Sequence, residues 1–286
     1  MKNNAVRIKN GLSVFLQLKI LSFCFLFVFS TSCNKDEIGP DRINKTSIKS
    51  AYTNTNYPIE IFLPENFSPD NIYETVYCLD GESLFDNNSN SCKVLDANKE
   101  MSQKYRKQEV IFVSIGGYKQ RLRDYTLPTI PATSGEGGAE NFANFLEFEL
   151  IPMIEQGYPV DTTAKSRVIL GHSMGGSFAA FMFAQHPEVF SNYLVLSPAF
   201  WYGDGVALKC EERNRDQNYS RNSIVFVGCG EYEDGIAILA EEFYLRLINY
   251  YPNCITEFKK LKNESHGSSL YHNVRFGMEL FFKTDK

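Results

Sequence analysis

Residues 171–176 of the chain read Gly-His-Ser-Met-Gly-Gly, which places Ser173 at the centre of a G-x-S-x-G motif. Between a buried strand and a helix, the glycines of such a motif allow a turn so sharp that the serine side chain projects above the edge of a sheet. The apolar run Val168–Leu170 before the motif and the helical pattern Ser177–Gln185 after it provide that setting. A serine held in this way can attack a carbonyl carbon, so we predict that Ser173 is a nucleophile.

A serine hydroxyl is a weak nucleophile and needs a general base within hydrogen-bond reach, and the chain offers four histidines. His266 lies in a loop of small residues, 264–268, after the last candidate strand, where a hydrolase with this motif carries its base. His186 ends a helical pattern, where the helix dipole favours a cation, and His272 lies inside another helical pattern. His172 adjoins the nucleophile, so we expect its side chain to point away in a structural role, and we count it among the residues around the substrate. His266 is the predicted base.

The acid that orients the imidazole should follow the candidate strand Ile224–Val227, because residues 228–234 contain three carboxylates. We choose Glu231, because the glycines before it let the chain turn at the end of the strand. Asp234 is the alternative and Glu233 ranks behind both. A Ser–His dyad without a close acid also stays open.

Attack by serine on a carbonyl creates an oxyanion that requires hydrogen-bond donors. The first expected donor is the backbone N–H of Met174, the residue after the nucleophile. The second should come from a loop after an earlier strand, and the segment Leu79–Glu82 is placed for it. These donors are main-chain groups, so the identity of the side chains says little about them.

The elements that must position these groups alternate between strands and helices. Short apolar runs ended by turn residues predict the strands, and an apolar pattern at helical spacing from Phe142 to Ile154 predicts one of the helices. Strand, turn and helix repeated in this order imply an α/β fold with a mostly parallel central sheet and helices on both faces. The candidate strands are Tyr57–Leu63, Glu74–Leu79, Val110–Ile115, Val168–Leu170, Leu194–Leu196, Ile224–Val227 and Thr256–Leu261.

The composition fits one globular catalytic domain. The 286 residues are 43% hydrophobic and 22% charged, which excludes disordered, collagen-like and coiled-coil chains. The net charge of −5 argues against a nucleic-acid partner, which a basic surface would accompany. Seven cysteines without a CxxC pair or a Cys/His cluster predict neither a disulfide scaffold nor a zinc site. Disulfide pairing stays open among Cys78, Cys92, Cys210, Cys229 and Cys254.

The N-terminus has the pattern of a targeting signal. Basic residues precede the apolar run Ile20–Phe29, which is too short to span a bilayer and fits the core of a secretory signal peptide. The small residues 30–32 followed by Cys33 resemble the lipobox of bacterial lipoproteins, in which the cysteine is acylated. Residues 1–32 are therefore the expected signal peptide, 33–47 a lipidated cysteine with a flexible tether, and 48–286 the folded domain.

This signal predicts a lipid-anchored protein of the cell envelope, on the outer membrane and exposed at the cell surface. The residues after Cys33, a lysine followed by acidic residues, resemble the surface-export signal of Bacteroidetes-like bacteria. The lipid anchor is the only membrane contact that we expect. A secreted or periplasmic protein with an incidental Cys33 is the alternative.

From about Ile48 to Phe282 the chain resembles the putative-esterase family of α/β-hydrolases. This family includes siderophore esterases, S-formylglutathione hydrolase, feruloyl and acetyl-xylan esterases, and mycolyltransferases. The segments that carry the resemblance are 77–85, 121–128, 138–152, 171–176, 197–201 and 265–268.

The resemblance implies an α/β-hydrolase fold and several further site residues. By position, the second oxyanion N–H falls on Glu82 or on Gly81. Arg121 and Arg123 match a family segment near the substrate mouth, and a role as ion-paired loop residues is equally compatible with the sequence. Trp201 and its aromatic neighbours are candidates to form the wall of an acyl or aromatic pocket.

Together these observations predict a serine hydrolase that cleaves carboxylic esters through an acyl-serine intermediate, without a metal or cofactor. The expected substrate is a small-molecule or glycan-linked ester. A thioesterase or acyltransferase with the same site is one alternative. A surface binding lipoprotein without turnover is another.

Overall fold

A central sheet of eight strands organises the computed structural model, which describes residues 42–85, 88–128, 137–218 and 221–284. The predicted signal peptide and Cys33 lie outside these described residues, so they remain predictions. The strand order is β1-β2-β4-β3-β5-β6-β7-β8. The strands are β1 (Ile43–Lys49), β2 (Asn56–Phe62), β3 (Thr75–Cys78), β4 (Ile111–Ile115), β5 (Arg167–His172), β6 (Asn192–Leu196), β7 (Ile224–Gly230) and β8 (Ile255–Leu261).

Helices cover both faces of this sheet, and among the described residues none is long and apolar enough to cross a bilayer. A π-helical turn, Leu146–Leu150, joins α4 to α5. The helices are α1 (Gly81–Leu84), α2 (Asn88–Tyr105), α3 (Arg121–Asp124), α4 (Ala139–Phe145), α5 (Ile151–Gly157), α6 (Met174–Gln185), α7 (Val206–Asn218), α8 (Asp234–Tyr250) and α9 (Ser269–Thr284).

The pairing of the strands brings the loops that carry the predicted site to one edge. β1 and β2 pair antiparallel, and β2 is antiparallel to β4. Across the sheet, β4, β3, β5, β6, β7 and β8 each pair parallel with the next strand in that order. The carboxyl ends of parallel strands meet at the same edge of a sheet, which is where ligands bind in open α/β folds. The mostly parallel sheet with helices on both faces is therefore confirmed.

Alternation along the central strands divides the hydrophobic core into two layers. In β5, Ile169 faces one layer, whereas Val168 and Leu170 face the other. Helices α4, α5, α6 and α8 pack on the first layer, and α2 and α9 pack on the second. Because both faces are covered, the inner strands are buried on both sides and their sequences are continuous apolar runs. This burial is why the sequence predicts these strands.

Three parts of the fold differ from the sequence analysis. The domain boundary drawn at residue 48 falls inside β1, which pairs along its whole length with β2, so residues 43–47 belong to the sheet rather than to a tether. Helices α2 and α7 were not predicted, because both sequences are mostly polar and show no clear apolar periodicity. Helix α6 begins at Met174, immediately after Ser173.

Candidate active site

Ser173 occupies a strained turn between β5 and α6. Its φ of 60° and ψ of −118° lie in a region that residues other than glycine rarely adopt. The turn is closed so tightly that a Cβ on Gly171 would lie 2.1 Å from the carbonyl oxygen of Gly175. A Cβ on Gly176 would lie 2.7 Å from the carbonyl oxygen of Leu196 on the neighbouring strand. Glycines at 171 and 176 therefore make the turn sterically feasible, and the turn has the geometry expected of a nucleophile elbow.

The imidazole of His266 contacts a buried carboxylate, that of Glu233. His266 Nδ1 lies 2.6 Å from Glu233 Oε2. Because a carboxylate only accepts, Nδ1 carries the proton and Nε2 is left as the acceptor. The other oxygen of Glu233, Oε1, accepts hydrogen bonds from Ser197 Oγ at 2.9 Å, Ser269 Oγ at 3.2 Å and the Gly230 N–H at 2.5 Å. Both oxygens of the carboxylate are thus held by donors.

The pair consists of a buried carboxylate, that of Glu233, and a partly exposed imidazole, that of His266. The Glu233 side chain is 2% exposed, whereas that of His266 is 42% exposed. Burial by itself would raise the pKa of Glu233, but the hydrogen bonds from His266, Gly230 and Ser197 outweigh burial and hold its pKa below the ordinary value. Glu233 is therefore ionised at neutral pH, as a group that stabilises an imidazolium must be.

The predictions that Glu231, or alternatively Asp234, contacts His266 are wrong. Glu231 Oε2 accepts the backbone N–H of Asn263 at 2.9 Å, and Asp234 is an exposed residue at the start of α8. Glu233 reaches the imidazole because its side chain folds back over the end of β7, where it accepts the Gly230 N–H. The sequence signal was present, since Glu233 was one of three candidates, but the path of a tight turn decides among neighbouring carboxylates. The sequence analysis missed Ser197 and Ser269 as partners of the acid.

Two helix N-termini bring the predicted oxyanion donors to the same edge of the sheet. Met174 is the first residue of α6, and Gly81 is the first residue of α1. The first backbone N–H groups of a helix have no partner inside the helix. Before α1 the chain turns at Asp80, whose φ is 51°, and a Cβ on Gly81 would lie 2.0 Å from a side-chain oxygen of β4. The Glu82 carboxylate accepts the N–H groups of residues 117 and 118, which fixes α1 to the loop after β4.

Arg121 links the turn at Asp80 to the end of β5. Its Nη2 lies 2.8 Å from Asp80 Oδ2 and donates to the carbonyl oxygen of His172 at 3.4 Å. Burial raises the pKa of Asp80 to about 6, although Arg121 acts in the opposite direction. Asp80, Arg121 and His172 border a cavity of about 190 Å³ together with Tyr118. Four leucines and a serine complete its lining: Leu79, Leu84, Leu170, Leu270 and Ser83.

A model of the putative esterase family matches residues 50–241 of the chain, a range that includes the elbow at Ser173 and the acid Glu233. The chain belongs to this family. The family match and the arrangement of the sheet confirm the resemblance drawn from the sequence.

Relatives of known sequence extend the comparison. The chain is 30% identical over 179 residues to the ferri-bacillibactin esterase BesA of Bacillus subtilis, a match covering 57% of this chain and 60% of that relative. It is 28% identical over 118 residues to the siderophore triacetylfusarinine C esterase of Aspergillus fumigatus, covering 40% of each chain. The chain thus matches less than two thirds of the length of these curated relatives.

Solved structures share the fold over most of the chain. The BES protein from Bacillus cereus superposes with a TM-score of 0.71 at 26% identity and covers 87% of this chain and 99% of its own. The siderophore hydrolase EstA from Aspergillus nidulans has a TM-score of 0.74 at 18% identity, over 91% of this chain and 100% of its own. The α/β-hydrolase fold is therefore confirmed.

Two residues that the family resemblance places near the substrate have different surroundings in the structure. Arg123 Nε donates to Asp124 Oδ1 at 2.6 Å, and its Nη2 donates to Thr55 Oγ1 at 2.8 Å and to the Tyr57 hydroxyl at 3.2 Å. These contacts use Arg123 to join α3 to the loop before β2, which favours the ion-paired loop role. Trp201 follows β6 at the edge of the site, is 61% exposed and does not line the 190 Å³ cavity.

One cluster with metal-ligating side chains lies far from Ser173. Within the part of the chain that the structure describes, Glu147, His186 and Glu188 bring their ligand atoms within 4.8 Å of one another. His186 follows the last residue of α6, and its Nε2 also lies 3.2 Å from Glu140 Oε2. Ser173 precedes the other end of the same 12-residue helix, so about 18 Å separate the two places. At that distance the cluster is separate from the candidate active site.

Proposed function

We propose that the chain is a serine hydrolase that cleaves carboxylic esters through an acyl-enzyme on Ser173. The observation that carries the proposal is the 2.6 Å contact between His266 Nδ1 and Glu233, because it leaves Nε2 as a base at the edge where the elbow presents Ser173. The described residues show no hydrogen bond between the Ser173 hydroxyl and His266, and such contacts are often long before substrate binds.

In the first half of the reaction, Ser173 Oγ forms a bond to the carbonyl carbon of the ester while its proton passes to His266 Nε2. The oxyanion accepts hydrogen bonds from the N–H of Met174 and from the N–H of Glu82 or Gly81. The C–O bond to the alcohol then breaks, and the alcohol leaves with the proton from His266. In the second half, His266 takes a proton from water, the hydroxide attacks the acyl-serine, and the acid product leaves as Ser173 recovers its proton.

Glu233 supports both halves by stabilising the imidazolium form of His266. Its carboxylate is buried, so its interaction with His266 is little screened by solvent. Glu231 is held by the backbone of Asn263 and Asp234 is exposed at the start of α8, so neither takes part in this scheme.

We infer that the substrate is a small-molecule ester of the siderophore class. The curated relatives described above are named a ferri-bacillibactin esterase and a siderophore triacetylfusarinine C esterase, and the rim of the site carries exposed aromatic rings. Tyr118, Trp201 and Tyr232 are 51%, 61% and 65% exposed, and they follow β4, β6 and β7 at the edge that holds Ser173. Aromatic rings favour an aromatic substituent on the substrate, and Arg121 above the Tyr118 ring adds a cation at the cavity.

We further propose that the enzyme acts at the cell envelope, anchored by a lipid on Cys33. The support is the N-terminal sequence alone. A variant with Cys33→Ala should lose incorporation of a labelled fatty acid and move from the membrane to the soluble fraction. An unchanged membrane fraction for this variant would contradict the anchor.

Fluorophosphonate labelling of the folded domain tests the enzymatic proposal. Wild-type protein should hydrolyse p-nitrophenyl butyrate and carry the label on Ser173, and Ser173→Ala should lose both. Ser177→Ala is the matched control, since Ser177 lies one turn further along α6 with a buried hydroxyl that has no hydrogen-bond partner among the described residues. Absence of labelling and turnover in the wild type would refute the proposal.

A panel of esters tests the substrate class. A cyclic triester bearing catechol amides, a feruloyl ester and acetylated xylan should be compared at equal ester concentration. We expect the highest kcat/KM for the catechol triester. Faster turnover of acetylated xylan would reject the siderophore class and leave the serine hydrolase in place.

A further inference from the structure

The imidazole of His172 contacts the backbone of the predicted base. His172 is the last residue of β5 and directly precedes Ser173. Its Nε2 lies 2.9 Å from the backbone carbonyl oxygen of His266, and the centroids of the two rings are 4.4 Å apart. Because a carbonyl only accepts, Nε2 of His172 carries the proton and donates it. The sequence analysis expected the His172 side chain to point away from the nucleophile in a structural role; the structure shows that it contacts the loop that carries the predicted base.

This hydrogen bond is one of several contacts that hold the loop of residues 264–268, and the Tyr232 N–H also donates to the carbonyl oxygen of Glu264 at 2.9 Å. The loop is closed on itself, with the Ser265 N–H donating to Ser268 Oγ at 2.9 Å, and a Cβ on Gly267 would meet nothing within 4 Å. The side chain of His266 is fixed by Glu233, whereas its backbone is fixed by His172. His266 is thus held at two points, by the last residue of β5 and by the loop after β7.

We propose that His172 is a positioning residue, which holds the main chain of His266 so that Nε2 of the base faces Ser173. This inference rests on the proposed function and deepens it. The hydrogen bond joins the strand that presents the nucleophile to the loop that presents the base, so it sets the distance between them. His172 itself exchanges no proton with the substrate.

The charges around His172 suit this role. The groups that face it are His266 and Glu233 from the loops after β8 and β7, Arg121 from α3, and Asp80 across the cavity. Burial first, and then the charges of His266 and Arg121, lower the pKa of His172 to about 4. His172 therefore stays neutral when His266 becomes an imidazolium, and two cations do not meet across the 4.4 Å between the rings.

Two variants separate the hydrogen bond from the packing of the ring. His172→Phe keeps a planar ring and loses the donor, and His172→Gln places an amide donor at nearly the reach of Nε2. We expect His172→Phe to lower kcat for p-nitrophenyl butyrate by about tenfold with KM within about twofold, and the rate of fluorophosphonate labelling to fall in parallel. His172→Gln should recover most of this loss. His186→Phe, at a histidine about 18 Å from Ser173 at the other end of α6, is the control and should change neither rate.

The results distinguish this inference from the proposed function. If Ser173→Ala and His266→Ala are inactive while His172→Phe keeps wild-type kcat, the positioning role is overturned and the serine hydrolase stands. If His172→Gln is as slow as His172→Phe, the donor is not the cause and the inference also fails. Activity retained by Ser173→Ala would refute the proposed function instead.

A measurement on the unaltered protein covers the case in which His172→Phe does not fold. Nitrogen-15 NMR of the four labelled histidines should show His172 as the Nε2–H tautomer, neutral down to about pH 5. Assignment follows from the resonance absent in His172→Gln. An Nδ1–H tautomer, or protonation of His172 above about pH 6, would overturn the inference.

Discussion

Glu233→Gln should abolish most of the activity without unfolding the protein, because the surroundings dictate which way the amide must point. Oε1 of Glu233 accepts the Gly230 N–H at 2.5 Å, and a backbone donor cannot rotate away as a hydroxyl can. The NH₂ of the substituted amide would repel that donor, so it must occupy the position of Oε2 and donate to His266 Nδ1. His266 would then carry its proton on Nε2 and could not accept the proton of Ser173. In a serine protease with a Ser-His-Asp triad, forcing this wrong tautomer lowers kcat by about 10⁴-fold, and we expect about 10³–10⁴-fold here.

The assay is kcat and kcat/KM for p-nitrophenyl butyrate near pH 7.5, with thermal unfolding measured in parallel. Glu231→Gln and Asp234→Asn are matched controls, one on each side of Glu233 in the chain, and should stay within about threefold of wild type. The unfolding temperature of Glu233→Gln should change little, since the side chain keeps its shape and the donors to Oε1, and its hydrogen bond with His266 is reversed rather than lost. The assignment of Glu233 as the partner of His266 is refuted if Glu233→Gln retains more than about a tenth of wild-type kcat, or if Glu231→Gln has a lower kcat than Glu233→Gln.

Steric fit, burial and charge give three further predictions. Gly171→Ala should fail to fold or lose activity, since its Cβ would lie 2.1 Å from a carbonyl oxygen, whereas Gly267→Ala, with nothing within 4 Å, should retain activity. Burial raises the pKa of Asp80 from 3.8 to about 6, so the native state binds this proton more tightly than the unfolded state does. The free energy of unfolding should therefore fall as pH rises from about 4 to about 6. Asp80→Asn should lose this pH dependence when urea unfolding is measured at several pH values. The thiol of Cys78 is buried in β3 and its pKa is raised by burial, so it should resist Ellman's reagent until urea unfolds the protein; rapid reaction in buffer would contradict this burial.

Local steric rules made the elbow predictable. The glycines at 171 and 176 approach carbonyl oxygens so closely that no other residue fits, and the apolar run of β5 precedes them. The inner parallel strands were predictable for a related reason, because burial on both faces requires continuous apolar sequence. His266 could be chosen because only four histidines were available and its loop follows the last strand.

Contacts between distant segments were not predictable in the same way. The sequence offers carboxylates at 231, 233 and 234, and only the path of the turn after β7 decides which one reaches an imidazole that lies 33 residues further along the chain. Residues 43–47 of β1 were assigned to a tether because their sequence is largely polar. Their place in the sheet comes from backbone pairing with β2, which no side-chain pattern indicates. The role of His172 depends on a carbonyl 94 residues away, so no local pattern could indicate it.

A chain of polar contacts connects the parts of the candidate site. Asp80 forms an ion pair with Arg121, and Arg121 donates a hydrogen bond to the carbonyl oxygen of His172. His172 then binds the backbone of His266, whose side chain binds Glu233. Each contact joins segments at the ends of different strands, so together they set the spacing of the turn at Asp80, the turn at Ser173, His266 and Glu233. The hydrophobic layers are formed by other side chains, so we expect them to keep their packing when one of these contacts is removed. Removing one of these contacts should therefore raise the activation free energy of the reaction by more than it lowers the free energy of unfolding. The comparison of these two changes separates a positioning contact from a merely stabilising one.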